Sequence, residues 1–222
     1  MIEPTHDNKK NQLAGSCLIG SSILMIFAML HHPTGHGHDF ASFVKEVKSL
    51  QTLNAIVHGG AIGIIAAFIF GFSYVSDRLG WSRAPVRVAA IAYGIGTSAM
   101  IIAAMVSGFL VPFFLERYSQ ATATEMEIAT EVLGLLREAN RAFDLLGVCG
   151  MSIGVACWSV AIFGRQPKDW LTGGLGLIVG LVGILGIFTG LTEASVSGIL
   201  AFVLLQGVWN IRVGIQMLRS RW

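Results

Sequence analysis

Charged residues are what this chain has least of. Only 13% of its 222 residues are Asp, Glu, Lys or Arg, against about 25% in a typical soluble domain, so an ordinary water-soluble globule is excluded. The net charge of +2 is too small to neutralise a phosphate backbone. No basic stripe interleaved with aromatic residues occurs either, which excludes nucleic acid as a partner. Cysteine is scarce too. Cys17, Cys149 and Cys157 each sit inside an apolar run, and an odd count without CxxC spacing supplies neither a disulfide framework nor a thiolate zinc site. They read as small buried apolar side chains. The chain contains no HExxH, no deaminase signature and no CxxCH haem-attachment motif, so short catalytic motifs select no known chemistry. No internal repeat is evident, which withholds support from inverted-repeat transporter folds.

What fills the chain instead is apolar length. Hydrophobic residues make up 54% of it and glycine contributes 27 positions. About 20 apolar residues cross a bilayer, and six segments reach that length: 13–30, 53–76, 88–115, 142–163, 171–191 and 194–217. The first follows Lys9 and Lys10 as a signal peptide would. It is too long, however, and ends in His31-His32-Pro33 rather than a small-residue cleavage site, so it reads as a retained helix. The expected fold is an all-α integral membrane protein: one domain over 1–222, with six transmembrane helices in one bundle embedded in lipid.

Orientation follows from the basic residues. A cytoplasmic N-terminus places Lys9, Lys10, Arg78, Arg83, Arg87, Arg165, Lys168, Arg219 and Arg221 on that side. Lys45, Lys48, Arg117, Arg137 and Arg141 fall on the other, an asymmetry that obeys the positive-inside rule. Both termini are then cytoplasmic, and a bacterial inner membrane is the expected location. The two longer outer links each carry a helical pattern. Phe40, Phe43, Val44 and Val47 recur opposite Lys45 and Lys48, as in a short helix lying on the membrane surface. Met126, Leu133, Leu136 and Phe143 share a face opposite Glu127, Glu131 and Glu138, predicting an amphipathic helix that leads into the fourth span. Gly173, Gly176, Gly180, Gly183, Gly186 and Gly190 draw a stripe down the fifth span, where a neighbouring helix is expected at close range. The sixth span is the expected neighbour, because the link between them is short. Pro112 is expected to kink the third span near its outer end.

The stretch "LHHPTGHGHDF" holds His31, His32, His36 and His38, four of the six histidines. Imidazole suits copper, zinc, nickel and iron without help from a thiolate. Pro33 pushes His32 out of the helical region, so the adjacent rings need not diverge, while Gly35 and Gly37 give His36 and His38 freedom to fold back. His58 lies about five residues inside the second span, or ~8 Å deep. Because the first span runs outward and the second returns, all five histidines converge on one mouth. An ionisable residue inside a span is a functional candidate by default, although an interhelical hydrogen bond explains His58 as well.

A second polar group faces the same side. "REANRAFD" sets Arg137, Asn140, Arg141 and Asp144 along one helix, with Asp144 expected to be ionised and paired with an arginine. Asn54, Glu116, Asn140 and Asp144 are candidates to support the histidines, for example by accepting a ligand histidine's free N–H, and Glu193 maps to the same level. Gln206 and Asn210 share a face of the sixth span, where interhelical hydrogen bonding accounts for them.

The expected function is a His-rich transition-metal site at the outer face, copper first and zinc second, with His31, His32, His36, His38 and His58 as ligands. It would serve metal handling or sensing, or metal-dependent oxidation of a membrane-soluble substrate. One alternative is haem b in electron transfer, with His31 or His32 and His58 as axial ligands and a quinone nearby. The other is a non-catalytic accessory subunit of a homo-oligomer or larger membrane complex.

Overall fold

The computed structural model describes residues 6–33, 40–118, 122–165, 169–189 and 196–219, and among them every regular element is helical. The elements are α1 (His6–Leu30), α2 (Phe40–Ser49), α3 (Gln51–Leu79), α4 (Ala84–Met105), a π-helical turn (Val106–Leu110), α5 (Val111–Arg117), α6 (Ala123–Phe163), α7 (Trp170–Thr189) and α8 (Val196–Leu218). Six helices among the described residues are long and apolar enough to cross a membrane. Their spans are Asn8–Leu30, Gln51–Leu79, Ala84–Arg117, Thr124–Phe163, Trp170–Thr189 and Val196–Leu218. Large apolar side chains point outward along them, among them Phe27, Ile91 and Phe188, the last 82% exposed. Water would not tolerate so much contiguous apolar surface, and a lipid bilayer is the environment these helices imply.

Local chemistry sets the ends. Gly80, at φ +94°, makes the turn from α3 to α4 through a conformation that a side chain resists, and Pro85 then sits in the first turn of α4, where a missing N–H costs nothing. Thr122 and Glu125 form a capping box that starts α6. At 41 residues this helix is about 62 Å long, roughly twice the hydrocarbon thickness of a bilayer.

Packing closes a ring: α1 lies against α3 and α8, α3 against α4, α4 against α6, α6 against α7, and α7 against α8. Small residues bring the closest pairs together. A Cβ on Gly96 of α4 would stand 2.6 Å from the backbone nitrogen of Met151 on α6, and one on Gly15 of α1 would stand 2.6 Å from the Gly214 carbonyl of α8. The α7 stripe, however, does not turn chiefly toward the sixth span. Gly173 and Gly180 meet Phe163 and Ala156 of α6, while Gly176 sits between Ser159 of α6 and Trp209 of α8, and Gly183 between Ser152 of α6 and Phe202 of α8. The small side chains of Ser152, Ala156 and Ser159 repeat at helical spacing and accept the stripe, whereas α8 presents bulky Phe202 and Trp209.

One half of the ring is plugged. Phe72 of α3 stacks on Trp158 of α6 at 4.6 Å and on Trp209 of α8 at 5.6 Å, and Tyr93 of α4 lies 5.1 Å from Trp158. The indoles are satisfied, Trp158 donating to Ser76 Oγ at 2.9 Å and Trp209 to the Thr172 carbonyl at 3.1 Å. The other half, toward His32, is open.

Candidate functional site

Proline begins the construction of the site. Pro112 has no N–H to return to the carbonyls one turn earlier, and the chain answers with the π-helical turn, in which Val111 N–H bonds back to the Val106 carbonyl. The interruption therefore falls at Val106–Leu110, just before the proline. Two carbonyls are released, and both are used: the Asn54 amide donates to Ser107 O at 2.9 Å and to Gly108 O at 3.4 Å. Gly108 also supplies room, since a Cβ there would collide with the His58 ring and its Cβ. π-turns of this kind recur at functional sites. Here the turn anchors α3 and seats His58.

His58 is buried, and its Nδ1–H donates to the Asn54 carbonyl at 2.9 Å. That bond leaves the Nε2 lone pair facing inward, and it faces another imidazole. His32 Nε2 lies 3.3 Å away, with ring centroids 4.9 Å apart and planes at 71°. Burial, and secondarily the proximity of His58, hold the His32 pKa down at about 4, so the ring is neutral at pH 7 with a lone pair to offer. His32 Nδ1 is buried, and among the described residues no group lies within regular hydrogen-bond geometry of it. Its neighbour takes no part. His31 is exposed, bonds through Nδ1 to the Phe27 carbonyl at 2.9 Å and tilts over the Phe27 ring. The adjacent rings diverge, because His31 still follows the helix while Pro33 turns His32 inward. His36 and His38 lie outside the described residues, as does Glu193.

Asp144 is buried beside this pair, but no arginine accompanies it. Among the described residues its partner is the amide of Asn140, which donates to Oδ2 at 3.1 Å. Arg137 and Arg141 instead line a wide vestibule of about 750 Å³ together with Leu133 and Glu138. Residues 137 and 141 point toward water because a guanidinium is cheaper there than in the apolar layer. Among the described residues neither Asp144 nor Asn140 accepts a histidine N–H, a role filled for His58 by the backbone of Asn54. Glu116 stands apart, in a small cleft with Lys48 and Gln51.

A second space lies beneath the vestibule. It measures about 230 Å³, and His32, His58, Ser107, Asn140 and Asp144 line both spaces, forming the polar neck between them. The inner cavity descends to Gln206 and Asn210 of α8. Gln206 donates to the Tyr93 hydroxyl at 3.4 Å, while Asn210 Oδ1 is buried with no partner among the described residues. Sequence reasoning missed the π-turn, Ser107, Gly108 and the connection of Gln206 and Asn210 to the histidines. The one available signal was Pro112, set one turn beyond Ser107 and Gly108.

No protein-family model matches the chain, and no curated protein or solved structure matches it. Two imidazole nitrogens bound to one tetrahedral ion at 2.0–2.1 Å stand about 3.3–3.4 Å apart, the separation found between His32 and His58. A complete shell is not formed by these two alone, and among the described residues no three His, Cys, Asp or Glu side chains gather closely enough to hold an ion.

Proposed function

We propose that the protein binds one transition-metal ion reversibly between His32 and His58, copper first and zinc second, and serves metal handling or sensing at the outer face of a bacterial inner membrane. The observation that carries this reading is the 3.3 Å approach of the two Nε2 atoms, with the other nitrogen of His58 tied to a backbone carbonyl as metal-bound histidines generally are. A two-imidazole shell leaves positions for water, for Asp144, or for His36 and His38, and an incomplete shell suits an ion that must leave again. The inner cavity beneath the pair favours a second reading, metal-dependent oxidation of a membrane-soluble molecule. Haem b draws less support, since axial ligands on opposite faces of a macrocycle stand about 4 Å apart.

Elemental analysis of protein purified without a histidine tag, together with its optical spectrum, tests the proposal. About one copper or zinc per chain is expected after reconstitution and desalting. A Soret band, or no metal retained, would overturn it.

The orientation rests on the Lys/Arg asymmetry. In a variant lacking the native cysteines, Asp39→Cys is expected to react with an impermeant maleimide from outside and Ser220→Cys only after the membrane is opened. Labelling of both from one side would sink the topology.

A further inference from the structure

We infer that the inner cavity binds an uncharged chain molecule ending in a hydroxyl, of the long-chain alcohol class, with that hydroxyl seated at Asn210 beside Gln206. The cavity is long for its volume. Its wall on α8 runs from Val196 to Asn210 and its wall on α3 from Val57 to Phe68, about 21 and 17 Å at 1.5 Å per residue, yet it holds only about 230 Å³. Such a slot favours a chain over a ring system. Its middle is apolar, with Met25, Met29, Met100 and Met151 among the lining residues, and unbranched methionines adapt to a flexible guest.

The deep end, where Gln206 and Asn210 of α8 line the cavity, is polar. Asn210 is 2% exposed and its Oδ1 has no hydrogen-bond partner among the described residues, while Gln206 commits its N–H to Tyr93. A buried acceptor left unmatched is costly, so an arriving O–H finds a ready partner that an alkane cannot use. The polar side chains lining that end are neutral, and an ionised head group would be buried there without a counter-charge. This site needs no metal and goes beyond the histidine pair.

The experiment uses membranes holding the full chain, washed with EDTA, and a diazirine-bearing octanol as the photoactivated probe, with adducts mapped by mass spectrometry. Saturable labelling is expected on Met100, Met151 and residues 202–210. Decanol should compete, and decyl methyl ether, which keeps the chain and lacks the donor, should compete about tenfold less well. Asn210→Leu should lower saturable labelling about tenfold. Ala104→Phe, which fills the slot from α4 without altering Asn210, should abolish it. Equal competition by alcohol and ether would overturn the assignment. So would labelling spread over outward-facing Phe27 and Ile91 and unmoved by either substitution. With metal stripped throughout, a failure of metal binding leaves these outcomes unchanged.

Discussion

His58→Ala is expected to strip the protein of its metal, lowering affinity by more than about 100-fold. The bound for comparison is the loss of a supporting residue around a metal, which costs 10–100-fold, and removing a ligand outright should exceed it. His58 is held in place from two sides: its Nδ1–H is bonded to the Asn54 carbonyl and its ring rests against Gly108. His31→Ala is the internal control. That ring is bound to Phe27 and lines neither space, so metal content should stay at the wild-type level. Asn54→Leu should fall between, at about 10–100-fold, because it releases the anchor on the Ser107 and Gly108 carbonyls without touching an imidazole. Metal content is read by mass spectrometry of the desalted proteins. Equal occupancy in wild type and His58→Ala would reduce the His32–His58 contact to an interhelical hydrogen bond.

Gly180→Leu should cost most of the folded yield. Its added Cβ would stand 2.7 Å from the Ser152 carbonyl and 2.8 Å from the Ala156 Cβ, and neither backbone nor a methyl fixed on a helix can swing aside. Overpacking of this kind costs about 1–3 kcal/mol and occasionally more, and here it would pry α7 from α6. Gly94→Leu makes the same chemical change on α4, where nothing lies within 4 Å. It should be neutral or slightly stabilising, since leucine is about 0.8 kcal/mol better than glycine inside a helix. Thermal melts and yields from one expression system compare them. If Gly180→Leu melts with the wild type, α7 does not pack on α6 as described.

Six helices long and apolar enough to cross a membrane were legible without coordinates, because bilayer thickness imposes a length that hydropathy along the chain reports directly. Equally legible was the meeting of the first and second spans at one end, since consecutive helices alternate direction, and with it the nearness of the "HHP" corner to His58. The choice between His31 and His32 was not. It depends on how far the helix persists before Pro33, and on α1 packing against α3. A helix that is apolar nearly all round carries little in its sequence to say which face meets which neighbour. The glycine stripe of α7 therefore announced a close contact without naming α6 as the partner. Asp144 was expected to hold an arginine because sequence distance made Arg141 a neighbour, but burial separates them: the carboxylate faces the neck and the guanidinium faces water. The π-turn illustrates the same division. Pro112 alone dictates that carbonyls near Ser107 and Gly108 lose their donors, and only the tertiary approach of α3 decides that Asn54 satisfies them and that His58 fits the space Gly108 leaves open.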